Sequence, residues 1–174
     1  MNIELSPKLL KKLFVAMAAL FVFYFANNYI FVSEEDRIVQ KLEEACELAS
    51  FSEKFHPFVK LERAKELAKL FSPNVTVILK SPEGRKEKIY GQDNLVKHAT
   101  VSNGYFSLLD FDFKDQNITI KGDNSTVNTT AVIKFKKSDS SKADMYAQEV
   151  IIKLTKTNGQ WLINSAENVE LLKR

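Results

Sequence analysis

The alternation of apolar and polar positions divides the chain into three unlike parts. Residues 13–32 pass for twenty positions without a charge, residues 34–71 space their apolar side chains as helices do, and from residue 106 onward apolar and polar side chains alternate with period two. Ser33 and Asp36 have the spacing of a capping pair. They precede a helix on which Val39, Leu42, Cys46 and Ala49 form one stripe. Pro57 opens a second helix, with Leu61, Ala64, Ala68 and Phe71 recurring on one side and Pro73 just past its end. NVTVILK then reads as a strand, SPEGRKEK as a turn, KIYG as a short strand and GQDNLVKHATV as a third, short helix.

In FDFKDQNITIKG, Phe111 and Phe113 share one parity while Ile118 and Ile120 share the other. A regular strand cannot bury both pairs on one face, so the pattern predicts a bulge between residues 115 and 117. The next strand places Val127, Thr129, Ala131, Ile133 and Phe135 on one side, and the one after it Tyr146, Gln148, Val150, Ile152 and Leu154. Asn158-Gly159 is a tight hairpin signal leading into QWLINSAENVEL. Helices followed by long antiparallel strands predict an α+β fold, a curved antiparallel sheet wrapped around helices, preceded by one transmembrane helix.

That order, with ERAKELAKLFSPNVTVIL, YGQDNLVKH, GDNSTVNTTAVIKF and KTNGQWLINSAENVEL, resembles the nuclear transport factor 2-like superfamily, which includes polyketide cyclase-like and ketosteroid isomerase-like proteins. The resemblance covers residues 34–174 and implies a cone with a cavity opening at one end. Ketosteroid isomerase-like members use a tyrosine on the first helix and paired acids in the cavity; here residues 34–50 hold no tyrosine. Dehydratase members direct histidines into the cavity, whereas His56 and His98 are the only histidines here and are expected to be exposed.

Strand parity names the candidate pocket lining: Thr129, Tyr146, Gln148, Trp161, Ser165 and Glu167. Glu167 is the single inward acid in that set, and desolvation would raise its pKa and suit it to act as a base. The competing expectation is that Trp161 and Ile163 plug the cone and leave Glu167 at its wet rim. No catalytic residue, cofactor or metal is expected: Gly-rich phosphate loops, a Ser-His-Asp order and metal-ligand spacing are all absent from the sequence.

Charge and composition then place the chain. Eleven of residues 13–32 are Leu, Ile, Val or Phe, and together they favour insertion into a bilayer by roughly 3 to 7 kcal/mol. At about 1.5 Å per residue the run reaches roughly 30 Å, one hydrocarbon thickness. Lys8, Lys11 and Lys12 against Glu4 leave the first 32 residues at +2 of the total +3. Lysines on that side hold it in the cytoplasm. The expected plan is a basic tail at 1–12, an uncleaved anchor at 13–32 and a nuclear transport factor 2-like domain at 33–174 on the periplasmic or extracellular side. A cleaved signal peptide fits less well, because Tyr24-Phe25-Ala26 puts a tyrosine where cleavage needs a small residue.

The body's near-even charge excludes a nucleic-acid footprint. Cys46 has no second cysteine to pair with and is expected to pack in the core. Four Asn-x-Ser/Thr triplets begin at Asn74, Asn117, Asn124 and Asn128, and strand composition accounts for them. The expected function is a membrane-tethered, non-catalytic interaction or scaffolding domain that meets a second copy or a membrane-complex protein through the outer sheet face near Val132 and Ile151, with membrane lipid contacted through residues 13–32. The alternative is a small-molecule binder or an isomerase- or cyclase-like enzyme using the cone.

Overall fold

The computed structural model describes residues 16–22, 24, 32–80 and 86–169. They fall into two compact units, Met1–Arg37 and Ile38–Arg174. In the first, residues 16–22 and 24 are helical, with Met17, Leu20, Phe21, Val22 and Tyr24 exposed. Among the described residues no helix is long and apolar enough to cross a membrane. The basic tail at 1–12 and most of the predicted span at 13–32 lie outside the described residues. Ser33 and Asp36 cap the first helix, α1 (Glu34–Ala49), as their spacing predicts: the Ser33 hydroxyl accepts the Asp36 N–H at 3.0 Å, and the Asp36 carboxylate accepts the Ser33 N–H at 3.2 Å.

The second unit continues with β1 (Phe51–Ser52), α2 (Pro57–Lys69), β2 (Phe71–Lys80), β3 (Lys86–Tyr90) and α3 (Gln92–Tyr105). Four long strands follow: β4 (Phe106–Lys121), β5 (Asn124–Lys137), β6 (Asp144–Thr157) and β7 (Gln160–Asn168). All seven strands form one sheet in the order β1-β4-β5-β6-β7-β2-β3. Every pairing is antiparallel except β2 with β7, which is parallel. This is the predicted α+β arrangement, with the helices on the sheet's inner face. The two-residue β1 was not expected; it pairs Phe51 with Leu109.

Two irregularities set which side chains face inward. The β4–β5 ladder slips between Lys114 and Asn117, where Asp115 takes φ 53, so Phe113 and Ile118 both pack against the core despite their opposite parity. The predicted bulge is therefore present. Beside it the Thr129 hydroxyl donates to the Lys114 carbonyl at 2.6 Å. The second slip lies in the β6–β7 ladder, where Leu154 faces Ile163 but Lys153 faces Ser165, leaving Asn164 as the extra residue. The hairpin between β6 and β7 uses Asn158 and Gly159 at φ 50 and 79, the left-handed pair that a type I′ turn requires.

The main core joins Ile38, Leu42 and Ala45 of α1 to Val127, Val150, Ile152, Leu154, Trp161 and Ile163 of the sheet. The stripe that α1 buries thus starts at Ile38 rather than Val39, and Cys46 lies beside it, half-buried. A smaller cluster of Val75, Val77 and Ile89 holds β2 and β3 together, with Phe71, Leu95 and Ala166 against it.

Candidate functional site

Between the three helices and strands β2, β3 and β4 the concave side is not filled. A cavity of about 260 Å³ lies there. Each helix reaches it through one face: Ala45, Leu48 and Ala49 from α1; Lys60, Arg63, Ala64 and Leu67 from α2; Leu95, His98, Ala99, Ser102 and Asn103 from α3. These are i, i+3, i+4, i+7 stripes, the helical spacing that puts side chains on one line. The sheet contributes Leu109, Phe111 and Phe113 at strand spacing, with Phe71, Val77, Ile89 and Ala166 across from them.

The wall is apolar except at a few points. Lys60 Nζ lies 4.4 Å from the centre of the Phe51 ring, and the Arg63 guanidinium lies 5.2 Å from that of Phe55. Arg63 Nη2 donates to the carbonyls of Glu47 and Ser50, the latter at 3.4 Å, at the C-terminal end of α1 where carbonyls lack helical partners. Its Nε is buried and has no hydrogen-bond partner. His98 Nδ1 lies 3.2 Å from the Glu87 carboxylate, both side chains being well exposed. The Ser102 hydroxyl donates to the His98 carbonyl at 2.9 Å. Burial, aided by the charges of Asp112, Asp110 and Glu43, pushes the Cys46 thiol up from 9.0 to about 12. Among the described residues no aspartate or glutamate lines the cavity. Among the described residues no three His, Cys, Asp or Glu side chains gather as metal ligands do.

None of the six residues predicted from strand parity lines this cavity. Thr129 and Trp161 do face inward, but both are buried in the packed core, at 5% and 3% exposure. Tyr146 and Gln148 hold the inward parity and bond to one another at 2.6 Å, on the part of β6 that runs past the end of its pairing with β7 at Val150. Ser165 and Glu167 need a correction of face. The extra residue at Asn164 reverses the alternation, so Ala166 turns to the cavity, while Glu167 lies 3.9 Å from Lys153 on the other side. Glu167 is therefore neither the inward base nor a rim group. His98, expected to be exposed, stands at the cavity wall with 42% of its side chain accessible. His56 caps α2, its Nδ1 accepting the Phe58 N–H at 3.3 Å.

Strand alternation missed the helix-borne half of the site. The signal that marks it is the run of small residues, Ala45, Ala49, Ala64 and Ala99, on helix faces turned inward, with Lys60 and Arg63 in the same stripe as Ala64.

No family model and no curated protein sequence matches the chain. Solved structures do. A protein of Novosphingobium aromaticivorans provisionally assigned as a scytalone dehydratase superposes with a TM-score of 0.63 at 14% identity, covering 79% of this chain and 85% of that one. A nuclear transport factor 2-like superfamily protein of Salmonella enterica serovar Typhimurium gives 0.57 at 14% identity over 78% and 89%. A protein of Xanthomonas campestris provisionally assigned as a calcium/calmodulin-dependent protein kinase II association domain gives 0.62 at 8% identity over 82% and 91%. The chain has the nuclear transport factor 2-like fold. Two of these assignments name unlike roles on one architecture and the third names only the superfamily, so what the fold does here has to be argued from the cavity.

Proposed function

We propose that the domain is a binding module for a small apolar molecule, and that residues 13–32 tether it to a membrane. The observation that carries the first part is the 260 Å³ cavity, lined almost wholly by aliphatic and aromatic side chains with a few polar groups at its wall, the usual make-up of a small-molecule site. The tether is supported by the uncharged run and the lysines before it. The outer sheet face is a poorer candidate for function: Val132 and Ile151 stand there among exposed Asn128, Glu149 and Lys153, so no apolar patch marks it for a partner.

A catalytic reading has one route. His98 is the only imidazole at the wall, and with Glu87 beside it could carry a proton in an isomerisation or dehydration. Binding is favoured because, among the described residues, no lining carboxylate stands opposite His98 to complete an acid–base pair.

The test is a thermal-shift screen of the full chain in lipid nanodiscs against small apolar molecules, in parallel with Ala99→Leu, which places a larger side chain in the cavity. A true ligand at a hundred times its Kd stabilises by about 2.7 kcal/mol, which is roughly 5–10 °C for a chain of this size. Ala99→Leu should lose the shift. If no compound moves the melting temperature, or if Ala99→Leu responds equally, the binding role is wrong. The tether is tested separately: alkaline carbonate should leave the chain in the membrane pellet, and its release would remove the anchor.

A further inference from the structure

Resting on that binding role, we infer that the ligand is a small anionic amphiphile, with a carboxylate head held by Lys60 and Arg63 and an apolar tail lying against Phe71, Val77, Ile89 and Leu95.

The charged side chains that line the wall are of one sign, although the carboxylates of Asp112, Asp110 and Glu43 also act on the Cys46 thiol there. Lys60 and Arg63 sit one turn apart on the same face of α2, and among the described residues no aspartate or glutamate lines the cavity to answer them. Among the described residues no carboxylate reaches ion-pair distance of Lys60, and its ammonium lies over the face of the Phe51 ring. Two cations beside a low-dielectric cavity raise the local concentration of anions and reject cations.

Arg63 is held ready for such a ligand. Its Nη2 is fixed on the Glu47 and Ser50 carbonyls and its plane lies by Phe55, so the guanidinium has little freedom left to lose on binding. Yet its Nε–H is buried without an acceptor. Buried donors are nearly always paired, so this N–H is a donor that an acceptor would satisfy once the guanidinium shifts to meet it. A carboxylate suits it, because an arginine edge and a carboxylate share a planar geometry.

The rest of the wall sets the tail. Beyond the two cations the lining passes to Phe71, Val77, Ile89 and Leu95, all apolar. At about 30 Å³ for each group of water size, a cavity of 260 Å³ admits on the order of nine non-hydrogen atoms. Octanoate is near that limit.

The test is isothermal titration of the full chain in nanodiscs at neutral pH, with empty discs as the blank, using octanoate, 1-octanol and octylammonium. Octanoate should bind about ten-fold tighter than octanol, a ratio equal to one modest charge-assisted hydrogen bond, and octylammonium should bind weakest. Lys60→Gln should bring octanoate down to the level at which octanol binds the same variant. Arg63→Lys, which keeps the charge but removes the guanidinium edge, should weaken octanoate more than octanol. Equal binding of octanoate and octanol, or a preference that survives Lys60→Gln, overturns the head-group assignment and leaves the binding role standing. Failure of all three probes to bind overturns both.

Discussion

Two parts of one concave surface end differently. Where α1 crosses the sheet, Val127, Ile152, Leu154 and Trp161 are met by Ile38 and Leu42, and the space is closed. Further along, Phe71, Val77, Ile89, Phe111 and Phe113 are at least as bulky, yet they face Ala45, Ala49, Ala64 and Ala99, and the space stays empty. The sheet does not decide between core and cavity. The helices do, by presenting large side chains in one place and small ones in the other. Interiors otherwise pack to crystal-like density, so a row of alanines facing phenylalanines marks room for a ligand.

The strongest way to break the comparison is to empty the filled part. Leu42→Ala should cost about 2–5 kcal/mol and lower the melting temperature by roughly 4–20 °C. An unchanged melting temperature would mean that α1 is not seated in this core. Filling the empty part should do little harm: Ala99→Leu is expected to stay within about 1 kcal/mol of the parent, against the 1–3 kcal/mol that overpacking a closed core costs. Urea titration of both variants separates the two outcomes.

Cys46 sharpens the comparison, since it lies at the border between the parts. With its thiol held at about 12, the folded chain should react with iodoacetamide at pH 8 at least about a hundred times more slowly than the urea-unfolded chain. Stability should carry the matching pH dependence. The folded state keeps its proton above the ordinary value of 9.0, so the contribution is complete below about pH 9 and is lost as pH rises toward 12. A Cys46→Ser variant should flatten that part of the curve. The smallest effect is expected on the outer face, where Glu167→Gln should change stability by less than about 0.5 kcal/mol and leave ligand binding unchanged. A lost ligand would return Glu167 to the cavity.

Much of the fold was legible because the signals are local. Ser33 with Asp36, Pro57, the parity switch around residues 115–117 and Asn158-Gly159 each fix the backbone through their own neighbours. The parallel pairing of β2 with β7 joins residues some ninety apart, and nothing local announces it. The site was lost for two reasons. The slip at Asn164 has no parity conflict like that of Phe111 and Ile118 to reveal it, and it turned Ser165 and Glu167 away. Alternation also tells which side chains point inward but not whether helices fill the space before them, so parity alone cannot decide whether Thr129 lines a pocket or Trp161 lines it rather than plugging the cone, and both lie buried in the core.

The most direct test of the cavity's role is intermolecular NMR contacts in the methyl-labelled full chain bearing a bound eight-carbon ligand. Cross-peaks from the ligand's chain protons to the methyls of Leu67, Val77, Ile89 and Leu95 are expected, all of them groups that line the cavity. Cross-peaks confined to Val132 and Ile151 on the outer face, or none at saturating ligand, would contradict it.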